Sequence, residues 1–192
     1  MDVAKELENT LARNAEMIER VAPEDLDKPT PCAEWRVRDL LNHITGGNLM
    51  FAAALAGDEV TEEQLAGDHV GDDPVAAYRA AADAAAAGWR RPDALEGTMR
   101  LPFGEIPRPM AQSTHLMDQT VHRWDLARSL GIDPDIDRDV AEDALRMMKN
   151  LPDAMRGEGR AFGHAAECPD DAPPWDRLAA WLGRDVTFGP VA

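Results

Sequence analysis

Apolar positions recur at helical spacing through most of this chain, and the stretches between them mark where helices stop. Val3, Leu7, Leu11, Met17 and Val21 share one face, which predicts a first helix from Asp2 to about Val21. Ala22-Pro23, the acid-rich EDLDKPTPC and the prolines at 29 and 31 break that pattern and predict a loop over 22–33. The segment AEWRVRDLLNHITGGNLMFAAALAG carries Trp35, Val37, Leu40, Leu41, Ile44, Leu49, Phe51 and Leu55, the pattern of a long buried helix. Within it lie His43 and, about a turn later, Gly46-Gly47. These glycines lower helix stability by roughly 1 kcal/mol each and leave room for close approach of another helix. For His43 alone, the default is a core or half-buried histidine with its hydrogen bonds satisfied.

The acidic, glycine-containing stretch from Gly57 to Asp73 reads as a mobile connection, with His69 beside Asp68 in a solvated loop. Pro74 then starts an alanine-rich helix that ends near Trp89. Residues 97–108, GTMRLPFGEIPR, alternate around a central Pro-Phe-Gly and predict a short hairpin. A helix follows from about Pro109 to Leu130, stopped by Gly131. Another runs from about Arg138 to Met155, with Val140, Ala144, Leu145, Met148 and Leu151 at core spacing. Gly157 to Pro174 is rich in Gly, Pro and Asp. Its His164 and Cys168 are four apart on a stretch that does not read as a stable helix. A final short helix covers about Trp175 to Leu182. The expected architecture is all-α: a helical bundle with a short β-like excursion and a short C-terminal helix. Residues 1–192 read as one domain, with 157–192 as an extension packed on the bundle.

Composition narrows the function. A chain of 192 residues is long enough to bury a core without disulfides or a structural metal. A net charge of −16 argues against nucleic acid or an anionic membrane as partner, since both demand a basic surface. The two cysteines, Cys32 and Cys168, lie far apart and suggest neither a disulfide framework nor a four-cysteine zinc site. The first twenty residues are charged throughout, without the apolar run of a secretory signal, and LMFAAALAG is about half the length a membrane span needs. A soluble, cytoplasmic protein is the expectation.

The helix after Pro109 carries the chemistry, because His115, Asp118 and His122 fall within a narrow sector of it. Asp118 lies about 60° from His115 and His122 about 20° from it. Axial rise separates them: about 4.5 Å from 115 to 118, about 6 Å from 118 to 122 and about 10.5 Å between the histidines. One ion can hardly take both histidines directly. Asp118 and His122, an i,i+4 pair with converging side chains, are the better couple, and a third ligand must come from elsewhere. If His43 faces them, the bundle holds a two-histidine, one-carboxylate site with open coordination positions, suited to zinc, nickel, iron or manganese. Cys32 has no base at a diagnostic spacing and reads as structural, and Trp35 and Trp124 read as packing residues.

Two stretches carry a resemblance. PTPCAEWRVRDLLNHITGG at 29–47 and DQTVHRWDLARSLG at 118–131 resemble the mycothiol-dependent maleylpyruvate isomerase family, within the DinB-like (DinB/YfiT-like) four-helix-bundle superfamily. The ending PPWDRLAAWLGRDV at 173–186 resembles the close of its short metal-binding members. The resemblance implies a four-helix bundle with a divalent metal held by His43, Asp118 and His122. Asp118 is one methylene shorter than the glutamate of the family's isomerase. His115 becomes a residue behind the ligands or lining the pocket. Asp125, three residues beyond His122, is a candidate to orient a ligand imidazole, beside the plainer reading of a helix-pairing aspartate.

The function expected from this is a metal-dependent isomerase or S-transferase. A thiol such as mycothiol would be its cosubstrate and a small electrophile its substrate, with a metal-bound thiolate as nucleophile. Metal-dependent hydrolysis through metal-bound water and a non-catalytic, stress-associated metal binder are the alternatives. The ending after Met155 is short beside the isomerase proper, so maleylpyruvate itself is not implied as substrate. A homodimer is left open as a partner state.

Overall fold

The computed structural model describes residues 1–32, 34–61, 65–150, 157 and 162–189. Helix α1 spans Val3–Ile18, with the Asp2 carboxylate accepting the Lys5 N–H at its start. It closes in tight turns, Arg20 N–H to Met17 and Val21 N–H to Ile18, that lead the chain toward Pro23. Helix α2 (Val37–Ala56) begins later than the hydrophobic pattern predicts. Backbone hydrogen bonds explain the delay: Thr30 N–H donates to the Trp35 carbonyl (3.1 Å) and Val37 N–H to that of Lys28 (3.0 Å), so Trp35 sits in a tied turn before the helix. Asp39 Oδ2 then accepts the Arg36 N–H at 2.8 Å and secures the first turn.

Helix α3 (Pro74–Trp89) starts with proline in its first turn, and the Asp73 carboxylate accepts the Ala76 N–H. Strands β1 (Thr98–Leu101) and β2 (Gly104–Pro107) form an antiparallel hairpin, with Leu101 opposite Gly104. The chain passes directly into α4 (Arg108–Leu130), which Gly131 ends at φ 68°, a left-handed conformation natural to glycine. Helix α5 spans Arg138–Lys149; the expected continuation over 151–155 lies outside the described residues. Helix α6 is Pro174–Trp181. Over the described residues the chain is therefore all-α with one small hairpin, as its periodicity predicts.

Helix α4 is the hub. Helices α1 and α2 pack on one side of it, α3 packs against α1 and α2, and α5 and α6 pack on its other flank. Leu7, Leu11, Leu40, Ile44, Phe51, Tyr78 and Leu116 belong to the main core, while Met117, Val121, Leu145, Met148 and Leu178 form a second one under α5 and α6. Packed on both sides, α4 buries polar residues as well as apolar ones and shows no continuous polar face. The glycine pair of α2 has a divided use. A Cβ at Gly46 would come within 2.8 Å of the His69 ring, so a loop rather than a helix covers it, whereas Gly47 faces Asp118 of α4. Leu49, placed in the buried pattern by periodicity, is 41% exposed. No helix among the described residues is long and apolar enough to cross a membrane.

Candidate metal centre

Three donors converge where α2 crosses α4. His43 projects from α2, and Asp118 and His122 from successive turns of α4. His43 Nε2 lies 3.4 Å and His122 Nε2 3.6 Å from the same Asp118 Oδ1, and the two imidazole rings meet edge to face at 4.6 Å between centroids. The ligand atoms all lie within 4.8 Å of one another. Asp118 and His43 keep 25% and 40% of their side-chain surface while His122 is buried, so the set opens to solvent on one side. Gly47 borders that opening: a Cβ there would approach Asp118 Oδ2 to 3.6 Å. Trp35 covers the rings from its tied turn, 4.8 Å from His43 and 5.9 Å from His122.

Electrostatics at the three donors follow from burial and from one another. Burial opposes ionisation of Asp118, but His122 and His43 beside it outweigh that and hold its carboxyl below the usual carboxylate range. Burial depresses the His122 imidazolium despite Asp118, whereas for His43 the Asp118 contact overcomes burial and raises the pKa. The set thus pairs a persistent carboxylate with one imidazole that burial keeps neutral.

A second cluster lies immediately behind. His122 Nδ1 is 2.8 Å from Asp125 Oδ2, and Asp125 is fully buried. The same oxygen accepts the Cys32 thiol at 3.1 Å. Arg184, from the segment after α6, spans both carboxylate oxygens: Nε lies 3.3 Å from Oδ1 and Nη2 3.2 Å from Oδ2, with Cys32 Sγ 3.3 Å from Nη2. Burial works against the Asp125 carboxylate, yet Arg184 pulls its pKa down to about 2. Burial, followed by the nearby Asp125 charge, pushes the Cys32 thiol up, which makes it an inert hydrogen-bond donor rather than a nucleophile.

Cys32, His122 and Asp125 also satisfy the spacing of a metal set. The guanidinium already supplies the positive charge there, in direct contact with the atoms a metal would need. The outer set of His43, Asp118 and His122 has no such cation in direct contact among the described residues, opens to solvent and combines two imidazoles with a carboxylate, donors that suit a divalent transition metal with open positions. These residues fit such an ion.

His115 stands apart from both clusters. It is fully buried, stacked on Phe51 with centroids 4.1 Å apart; its Nδ1 accepts the Trp89 indole N–H (3.1 Å) and its Nε2–H donates to Asn48 Oδ1 (2.7 Å). Nearby, the Tyr78 hydroxyl donates to Gln119 Oε1 at 2.7 Å, and Asn14 Nδ2 reaches the same oxygen at 3.2 Å. His69, His164 and Cys168 belong to no three-donor group among the described residues. Sequence reasoning missed Arg184, whose only signal was its place in the quoted WLGRDV ending, and the polar core around Gln119, signalled by a helix with polar residues on every face.

A helical bundle with an open two-histidine, one-carboxylate donor set between two of its helices is the class of protein that fold and geometry define. The chain belongs to the mycothiol maleylpyruvate isomerase N-terminal domain family, whose model matches residues 7–127. It is also similar to two uncharacterized proteins from two strains of Mycobacterium tuberculosis. Each is 34% identical over 173 residues, covering 90% of this chain and 92% of the relative. No solved structure gives a significant match.

Proposed function

We propose that this protein holds a divalent metal through His43, Asp118 and His122 and uses it in thiol chemistry, as an isomerase or S-transferase acting on a small electrophilic substrate. The observation that carries this reading is the donor set itself: three convergent ligand atoms, one face open to solvent, in a chain of a mycothiol-named family. Zinc leads nickel, iron and manganese on donor type, and such a cation would supply Lewis acidity that favours the anionic form of a thiol or of water. The chain's own residues do the rest. Asp118 contributes the negative charge, and the two imidazoles add neutral donors. Trp35 shields the ring faces from water, while Gly47 leaves space at the open side. A low-molecular-weight thiol of the mycothiol kind is the cosubstrate this reading calls for.

The test combines metal content with turnover. His122→Ala should abolish stoichiometric zinc, nickel, iron or manganese measured by elemental analysis, whereas His69→Ala should retain it. Across a panel of small electrophiles, turnover should require a thiol, with mycothiol compared against other thiols and none. Metal retained by His122→Ala would refute the ligand assignment. Thiol-independent turnover would put hydrolysis in place of thiol chemistry, and absence of turnover throughout would favour a binding protein.

A further inference from the structure

We propose that Arg184 is a positioning residue for the metal centre: acting through Asp125, it fixes the His122 ring so that Nε2 presents a lone pair beside His43 and Asp118. This rests on the metal-binding reading above. It assigns a part in the site to a segment beyond residues 7–127, where the family match ends.

Hydrogen-bond direction carries the argument. Asp125 is fully buried, so its oxygens need hydrogen-bond partners in the interior. Among the described residues those partners are Arg184 Nε and Nη2, the Cys32 thiol and His122 Nδ1. A guanidinium can only donate, and here it forks across both carboxylate oxygens. Asp125 is left as a pure acceptor, so the hydrogen between it and His122 must sit on Nδ1. In the neutral ring, the form that can ligate a metal, the other nitrogen, Nε2, then carries the lone pair, and it is the nitrogen that faces Asp118 at 3.6 Å. A ligating histidine held in this way is a more basic and better oriented donor, and loss of such a partner lowers metal affinity by about 10- to 100-fold.

The local fold makes Arg184 rigid enough for the task. Gly183 ends α6 at φ 91°, and a Cβ there would lie 2.8 Å from the Gly163 Cα and 3.1 Å from the His164 carbonyl, so glycine is required both by conformation and by space. Arg184 N–H closes the turn on the Ala179 carbonyl at 3.0 Å, and Nη1 donates to the Leu182 carbonyl at 3.1 Å. The Leu-Gly-Arg sequence thus bends back and directs the guanidinium to Asp125. A different contact docks the same segment: Asp176 of α6 accepts from Trp124 Nε1 (2.7 Å) and Arg128 Nη2 (2.9 Å). It provides a control that loosens docking without touching Asp125.

The experiment uses the full chain. Zinc affinity is measured by competition with a chromophoric chelator, and the His122 tautomer of metal-free protein by long-range ¹H–¹⁵N NMR. Arg184→Met and Asp125→Asn should each weaken zinc about 10- to 100-fold. Both should also convert His122 from the Nδ1–H form to a mixture containing Nε2–H. Arg184→Lys should recover part of each effect, and Arg128→Gln should change neither. Zinc affinity within twofold of the parent together with a retained Nδ1–H tautomer in Arg184→Met would overturn the proposal, as would equal losses in Arg128→Gln. If the parent chain binds no zinc, the metal reading fails, and the tautomer measurement still decides whether Arg184 sets the ring.

Discussion

His115 shows how one residue's surroundings decide between two chemical lives. Its spacing put it in the same sector as Asp118 and His122, but both its nitrogens are engaged within the core, by Trp89 and Asn48. Burial pushes its pKa from 6.5 to about 4, because the imidazolium is poorly solvated there. Between those values the unfolded chain binds a proton that the folded chain does not, so stability falls as pH drops below 6.5 and levels off below about 4. The whole window corresponds to about 3 kcal/mol. Urea unfolding at pH 7 and at pH 4.5 should show the parent protein losing about 2 kcal/mol more than His115→Gln. Equal losses would mean that His115 is not the buried neutral group described. Axial rise along a helix was enough to pair Asp118 with His122 from sequence, because that distance is fixed by the backbone. Contact between Cys32, Asp125 and Arg184 was not legible, since it depends on how loops close.

Helix periodicity located α1, α3, α4 and α6 to within a few residues, and the Pro-Phe-Gly alternation located the hairpin, because each signal comes from local sterics and from one buried face. The start of α2 escaped that logic: Trp35 fits the apolar period but is held outside the helix by backbone pairing with residues 28–30. Gly46 had a reading from sequence as a point of helix contact, and its neighbour proves to be the His69 ring. That contact sets a test of the element. Alanine is favoured over glycine in a helix by about 1 kcal/mol, so Gly46→Ala in a His69→Ala background should stabilise the protein by about that amount. In the parent background the new methyl meets His69 at 2.8 Å, and the ring must move, so the gain should vanish or reverse. Equal increments in the two backgrounds, read from urea midpoints, would show that the His69 ring imposes no constraint on α2.

Charge acts on the molecule as a body. With 36 acidic and 20 basic residues, repulsion among carboxylates exceeds what exposed pairs such as Arg79–Glu19 and Arg90–Glu8 recover. Raising sodium chloride from about 0.02 M to about 0.3 M shortens the Debye length to below 10 Å and should raise Tm by a few degrees. A falling Tm would show that the surface ion pairs outweigh the repulsion. The inner cluster behind the candidate metal centre is insulated from this screening by burial. It has instead a consequence for the order in which the molecule assembles. The contact between Arg184 and Cys32 joins positions 152 residues apart. Closing so long a loop from the unfolded chain costs about 4 kcal/mol through its length alone, so such a contact is favoured only once local helices have formed and shortened the effective loop. A chain arrested part-way can have α2 and α4 paired, with His43 near Asp118, and still lack the restraint on His122. Under the proposed metal-binding reading, full affinity for the ion then requires the segment after α6 to have docked, and metal uptake reports that it has.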